Sequence, residues 1–273
     1  MQIVLLGSGS TGNCALVEAG RGDDRVVVAL DCGIAQRTGR DLAADAGLSL
    51  TSVDAVLLTH AHADHSANVV AVAARAKAPL FAHPDVVDQR PQLRASEIER
   101  RKVELRPYTA DCSFQIGPLR VTPIRLPHDA EPTHGFVFET EDGQRAAYFS
   151  DLGRPEVLMN GVLEGIESLV LEFNYDSEML KHGPYPPQLK ARISGGLGHL
   201  SNAESASILR MACPASLRQL TLAHLSQHNN RPKLAAAAAR EALDAAGRSD
   251  LEPKIAPPRG VVYAGPSARP VRS

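Results

Sequence analysis

Tryptophan is absent from this sequence, and aromatic residues make up only 4% of it. A broad platform of stacked nucleobases is therefore not expected. Paired cysteines are missing as well. Cys14, Cys32, Cys112 and Cys213 are scattered singly with no Cys-x-x-Cys pair, so they read as free thiols of a reducing compartment rather than a disulfide framework. No apolar run is long enough to cross a bilayer. The opening Met-Gln-Ile-Val-Leu-Leu-Gly puts no basic region ahead of an apolar stretch, so a secretory signal is not expected. Together these absences predict a cytoplasmic protein that does not enter a membrane. A large charge of one sign is lacking too. The formal net charge is −2, which removes a global basic field but leaves room for a local patch that meets phosphates.

What is present is an ordinary globular composition, 44% hydrophobic over 273 residues. That is enough chain to bury a sizeable core in one large domain or two small ones. The N-terminal half alternates strand and helix signals. Ile3–Leu6, Ala15–Glu18, Val26–Leu30 and Val53–Leu58 read as strands, and Gln36–Ala46 and Ser66–Ala76 as helices. The middle is rich in strands, at Phe114–Ile116, Leu119–Leu126, Phe136–Glu139, Ala146–Phe149 and Ser168–Leu171. The last third predicts a helix over Ala203–Met211, a strand over Leu217–Ala223 and a second helix over Pro232–Ala246. Asn230 is placed to cap that last helix, Pro232 suits its first turn and Gly247 can end it. From Ser249 the chain is rich in Pro and Arg, and a loose tail over 249–273 is expected apart from Val261-Val262-Tyr263. The remaining residues, 1–248, are expected to form one domain of sheet packed on sheet with helices outside.

The strongest local signal is Thr59-His60-Ala61-His62-Ala63-Asp64-His65, just past an apolar strand. Three imidazoles and a carboxylate within six residues are a donor set for Zn²⁺, Mn²⁺ or Fe²⁺ rather than Ca²⁺. One segment cannot complete two metal shells. Three later apolar runs end in suitable donors: His128, Asp151 and His224. His134, six residues past His128, offers the same chemistry. The glycine-rich Gly7-Ser8-Gly9-Ser10-Thr11-Gly12-Asn13 is not a phosphate-binding loop of the Gly-Lys-Ser/Thr kind. It reads equally as a tight turn or as a loop whose Ser10 or Asn13 touches a substrate phosphate. Lys181, Lys190 and Arg192 flank Tyr185-Pro186-Pro187, either as a rim that binds phosphates or as an ordinary solvated face.

These pieces together resemble the metallo-β-lactamase superfamily, whose signature is His-x-His-x-Asp-His. Within it the chain resembles the YycJ/WalJ-type subfamily over about residues 1–245. The further matching segments are Asp31-Cys32-Gly33, Leu171–Asp176, Tyr185–Ile193, Gly198-His199-Leu200-Ser201-Asn202 and Ala223-His224-Leu225-Ser226 with Asn229-Asn230. The resemblance implies a four-layer αββα sandwich and two divalent ions. His60, His62 and His128 would hold one ion, and Asp64, His65 and His224 the other. Asp151 would bridge them, and Asp64 would also serve the catalysis. His199 would act as the general acid, oriented by Glu172; the bland alternative is a structural hydrogen bond in a turn. Ser10, Asn13, Asn174, Lys190 and Arg192 are the candidate substrate contacts. The activity implied is that of a two-metal phosphodiesterase on nucleic acid, most directly a 5′-to-3′ DNA exonuclease. Hydrolysis of a small ester, thioester or lactone on the same fold, or a metal-bound regulatory role without turnover, are the alternatives. The oligomeric state is open.

Overall fold

The computed structural model describes residues 1–265. The chain opens with three antiparallel strands, β1 (Gln2–Gly7), β2 (Cys14–Ala19) and β3 (Val26–Leu30). Parallel β4 (Ala55–Leu57), β5 (Leu80–Ala82) and β6 (Leu105–Pro107) extend that sheet. A second sheet begins with antiparallel β7 (Phe114–Ile116), β8 (Leu119–Leu126), β9 (Thr133–Thr140) and β10 (Arg145–Phe149). It continues with β11 (Ser168–Glu172) and β12 (Gln219–Ala223), both parallel to β10. Two strands close the edges: β13 (Lys254–Ile255) beside β12, and β14 (Val262–Ala264) beside β1. Among the described residues each sheet then has seven strands.

Alternation along the strands explains the layering. In β1, Ile3 and Leu5 face the other sheet, where they join Phe136, Phe138, Tyr148 and Val170. Val4 and Leu6 face the opposite way, toward helices α1 (Gln36–Asp45) and α3 (Val69–Ala76). In β11, Val170 lies between the sheets, while Leu169 and Leu171 meet α7 (Asn202–Ala212) and α8 (Pro232–Ala245). Central strands buried on both faces need helices outside each sheet, which gives the αββα sandwich. Short helices α2 (Ala63–Ser66), α4 (Ala95–Arg100), α5 (Ser177–His182) and α6 (Pro187–Ser194) complete the elements.

The topology sets the site. Strands β3 and β4 run the same way in the first sheet, and β8, β10, β11 and β12 run the same way in the second. Their C-terminal ends carry Asp31, His60, His128, Asp151, Glu172 and His224. Three of these turn through the left-handed region without glycine: Asp31 at φ 54°, Asp151 at φ 59° and His224 at φ 56°. Each such turn costs about 1–3 kcal/mol, a strain that collects where function needs a side chain aimed sharply.

Several expectations are corrected. The predicted Ser66–Ala76 helix is two pieces, α2 and α3. Asn68 interrupts it, its N–H donating to the Cys32 carbonyl and its side chain to the Ile34 carbonyl. Asn230 does not cap α8. Its amide is buried and donates to the carbonyls of Phe173 and Asn174, and Arg231 occupies the cap position. The segment from Ser249, expected loose apart from Val261-Val262-Tyr263, has strand structure at Lys254–Ile255 as well. It supplies β13 and β14, and the Pro258 carbonyl accepts from Ser8 N–H in the glycine-rich loop. Unpaired sheet edges favour such capture of a short strand. The rest of the expected tail, residues 266–273, lies outside the described residues.

Candidate metal centre

The His60–His65 segment leaves β4 as a loop and becomes α2 at Ala63. Its path is fixed by close backbone contact with two other loops. Asn13 N–H donates to the Asp64 carbonyl at 2.6 Å, and Cys32 N–H to the His65 carbonyl at 2.8 Å. A Cβ on Gly33 would lie 1.7 Å from the Asp64 carbonyl oxygen, so only glycine allows that approach.

Three of the imidazoles are turned by a hydrogen bond on Nδ1. His65 Nδ1 lies 2.7 Å from Asp31 Oδ2, and the Thr59 hydroxyl donates to the same carboxylate. His128 Nδ1 donates to the Gly198 carbonyl at 2.9 Å. His224 Nδ1 lies 3.0 Å from Glu172 Oε1, while its backbone N–H donates to Ser8 Oγ at 2.7 Å. These partners leave the other nitrogens facing inward, the arrangement typical of metal-ligating histidines.

The inward atoms converge. His60, His62 and His128 form one group; Asp64, His65 and His224 form another; His60, His65 and Asp151 link the two. Within each group the donor atoms lie within 4.8 Å of one another. Asp151 Oδ2 is 3.1 Å from His65 Nε2, and Asp151 Oδ1 is 3.7 Å from His224 Nε2 and 3.8 Å from His128 Nε2. His60 Nε2 and His224 Nε2 are buried with no hydrogen-bond partner among the described residues. Orphaned buried nitrogens are costly unless something binds them. Neutral imidazoles and carboxylates so aimed fit divalent cations.

The charge balance agrees. Burial, reinforced by His65, holds the His60 imidazole well below its usual range, so it is neutral with a free lone pair. Burial, then His128, lowers His62 as well. Burial opposes protonation of His224, yet Asp151, Asp64 and Glu172 push it up to about 10. Burial likewise opposes protonation of His65, but Asp151 and Asp31 raise it well above its usual range. This concentration of buried carboxylates calls for positive charge, which a bound cation supplies more compactly than protons do.

Glu172, fully buried at the end of β11, joins the ligands to a further residue. Its Oε1 lies 2.8 Å from His199 Nδ1 and 3.0 Å from His224 Nδ1, and its Oε2 accepts from the N–H groups of Leu152 and Leu200. Burial would raise its carboxyl, but His199 and His224 outweigh that and lower it to about 2. The His199 side chain is 21% exposed, so this imidazole borders both the ligand cluster and solvent.

The other candidates divide. His134 is not among the clustered donors. Its ring stacks on His83 at 5.3 Å and its Nδ1 lies 3.3 Å from the Tyr108 hydroxyl, away from the cluster that His128 joins. Ser10 is exposed on the glycine-rich loop. Asn13 and Asn174, expected as substrate contacts, are both buried and bonded within the protein. Asn13 is buried, with Oδ1 accepting from Gly9 N–H and Nδ2 2.8 Å from His65 Nε2. Asn174 is buried and donates to the His224 carbonyl at 2.8 Å. Lys190 donates to the Lys181 carbonyl. Arg192 pairs with Asp129, whose Oδ1 is 3.5 Å from both His62 Nε2 and His128 Nε2. Sequence reasoning missed roles for Asp31, Thr59, Ser8 and Asp129. Asp31 was findable, since it ends an apolar strand as Asp151 and His224 do.

Comparison with known proteins agrees with this geometry. The family model for the beta-lactamase superfamily domain matches residues 27–224. The chain belongs to that superfamily, and its class is that of a metal-dependent hydrolase. It is 28% identical over 243 residues to exodeoxyribonuclease YycJ of Bacillus anthracis, covering 89% of both chains. It is 26% identical over 234 residues to exodeoxyribonuclease WalJ of Streptococcus pneumoniae, covering 85% of this chain and 84% of that one. Among solved structures, the metallo-beta-lactamase fold protein YhfI of Bacillus subtilis superposes with a TM-score of 0.70 at 18% identity, over 97% of this chain and all of that one.

Proposed function

We propose that this protein is a two-metal phosphodiesterase of the cytoplasm that degrades DNA as a 5′-to-3′ exonuclease. The observation that carries the reading is the His199–Glu172 pair at 2.8 Å, set beside the ligand cluster and open to solvent. Hydrolysis of a phosphodiester expels an alkoxide, a leaving group that needs a proton far more than a thiolate does. The names of the two relatives support a nucleic-acid substrate.

In this reading His60, His62 and His128 hold one divalent ion, Asp64, His65 and His224 hold the second, and Asp151 stands between them. Bound there, Zn²⁺, Mn²⁺ or Fe²⁺ would supply Lewis acidity and lower the pKa of water. Asp31 and the Thr59 hydroxyl keep His65 in the tautomer that presents Nε2. With both ring nitrogens of His199 protonated, Glu172 Oε1 accepts the hydrogen bond from Nδ1–H, and the Nε2 proton passes to the leaving oxygen, which leaves a neutral imidazole. Arg192 and Lys190, on α6 beside the opening, meet backbone phosphates.

The test is incubation of 5′- and 3′-labelled duplex DNA and RNA in Mn²⁺, beside an Asp64→Ala control and a panel of a lactone, a thioester and a chromogenic phosphodiester. Stepwise release of nucleotides from the 5′ end of DNA, absent in the control, is expected. Efficient lactone or thioester cleavage with nucleic acid untouched overturns the reading.

A further inference from the structure

The loop before His199 reads Ser194-Gly195-Gly196-Leu197-Gly198. Leu197 is 47% exposed, one of three large apolar side chains so exposed among the described residues. The other two, Met211 and Leu234, lie on helices α7 and α8. A lone exposed leucine on a helix needs no explanation; one on the lip of a charged site is different.

This lip is firmly held. Gly198 N–H donates to the Gly195 carbonyl at 2.7 Å, and His199 N–H to the Ile193 carbonyl at 2.9 Å. The Gly198 carbonyl accepts from His128 Nδ1. Leu197 is thus one peptide from a group that orients a candidate ligand and two residues from the candidate acid. The flanking glycines are forced by close packing, since a Cβ on Gly198 would lie 2.1 Å from the Ile193 carbonyl oxygen. Leu197 is therefore the one side chain larger than hydrogen that residues 195–198 present.

A second loop lies directly against it. Gly153, two residues past Asp151, packs so tightly that a Cβ there would meet the Gly196 carbonyl oxygen at 2.5 Å and Leu197 Cα at 2.8 Å. The next residue, Arg154, is exposed, and its Nε lies 2.6 Å from where a Cβ on Gly196 would be. The Arg154 guanidinium makes no hydrogen bond or ion pair with any described residue, whereas that of Arg192 is paired with Asp129. An apolar side chain and an unpaired guanidinium thus stand together on the lip.

Resting on the nuclease reading, we propose that Leu197 and Arg154 form the seat for the terminal nucleotide of a single nucleic-acid strand. Leu197 packs against the face of the base. Arg154 contacts the phosphate beside the scissile one. The contact reads the shape of a nucleotide and not its sequence, because an apolar face accepts any base and a phosphate carries no sequence information.

The test measures kcat and KM on a single-stranded oligonucleotide over a range of salt, with metal content determined for each variant. Leu197→Ser is expected to raise KM about fivefold to tenfold, and Leu197→Met to restore most of it. Arg154→Gln is expected to raise KM and to flatten the slope of log KM against log salt by about 0.7, the signature of one lost phosphate contact. Met211→Ser and Arg218→Gln make the same chemical changes away from the site and are expected to leave KM alone. Wild-type cleavage with Leu197→Ser and Arg154→Gln matching those two controls overturns the seat and leaves the nuclease reading intact. A rise in KM accompanied by equal loss of metal also overturns it, since the lip would then be only structural. A wild-type protein that cleaves no nucleic acid overturns the nuclease reading itself.

Discussion

The two sides of the candidate metal centre are built in opposite ways. On one side His60, His62, Asp64 and His65 come from a single loop and helical turn after β4. On the other, His128, Asp151, Glu172, His199 and His224 come from separate places along nearly a hundred residues of the second sheet. The contiguous side is held by its own backbone and by two neighbouring loops. The dispersed side is held by strand order, left-handed turns and one buried carboxylate. Glu172 Oε1 serves a candidate ligand and the candidate acid at once, so on the dispersed side the two candidate roles meet at one atom. The contiguous side has no such coupling.

That contrast can be broken by substitution. The largest effect is expected for Asp151→Ala, because Asp151 is the carboxylate that both sides approach. Metal stoichiometry by atomic emission should fall, and turnover should drop beyond the about 100-fold typical of residues that only orient a ligand. Retention of two ions in that variant would mean the sides are independent. His199→Ala should lower turnover by about 10²–10⁴-fold with metal content unchanged; loss of metal would remove the acid assignment. Glu172→Gln sharpens the comparison, since it should weaken metal affinity by about 10–100-fold and slow turnover together. If titration shows metal affinity untouched while turnover falls, the link to His224 is idle.

The smallest effect concerns His134, which burial, with His83 and Arg125, holds down at about 4. Its unfolded value is near 6.5. Between those values the unfolded chain binds more protons than the folded one, so folding stability contributed here is present above about 6.5 and lost as pH falls toward 4. His134→Gln should flatten the dependence of the melting temperature on pH across that window and leave metal content unchanged. Loss of metal in His134→Gln would place it in the centre after all.

How much of this was legible beforehand follows the same division. The contiguous donors announce themselves because three His and one Asp in six residues are hard to explain without a metal. His128, Asp151 and His224 were legible through a weaker regularity, a polar donor ending an apolar strand. The same regularity at Asp31 went unused, because Asp31 acts through His65 and not as a clustered donor itself. The burial of Asn13 and Asn174 was not legible for a different reason. A polar residue near a site looks like a substrate contact until burial shows its amide bonded to the protein. The strands β5 and β6 were missed, and so was β13, a two-residue edge strand made by the sheet that accepts it.

By itself, the sequence determined the layered α/β class, through strands apolar on both faces, and the metal-binding chemistry, through donors whose types and local spacing survive any fold. Only the tertiary structure sets His128, and not His134, among the clustered donors; they are two imidazoles six residues apart that chemistry cannot distinguish. A left-handed turn, a hydrogen bond or the end of a strand aims one side chain at the centre and another away from it. Such directions arise from contacts between residues far apart in the chain, as when the Gly198 carbonyl turns His128 inward and Glu172 joins His199 to His224. The His60–His65 loop names the chemistry; the second sheet, by where its strands end, gives it a geometry.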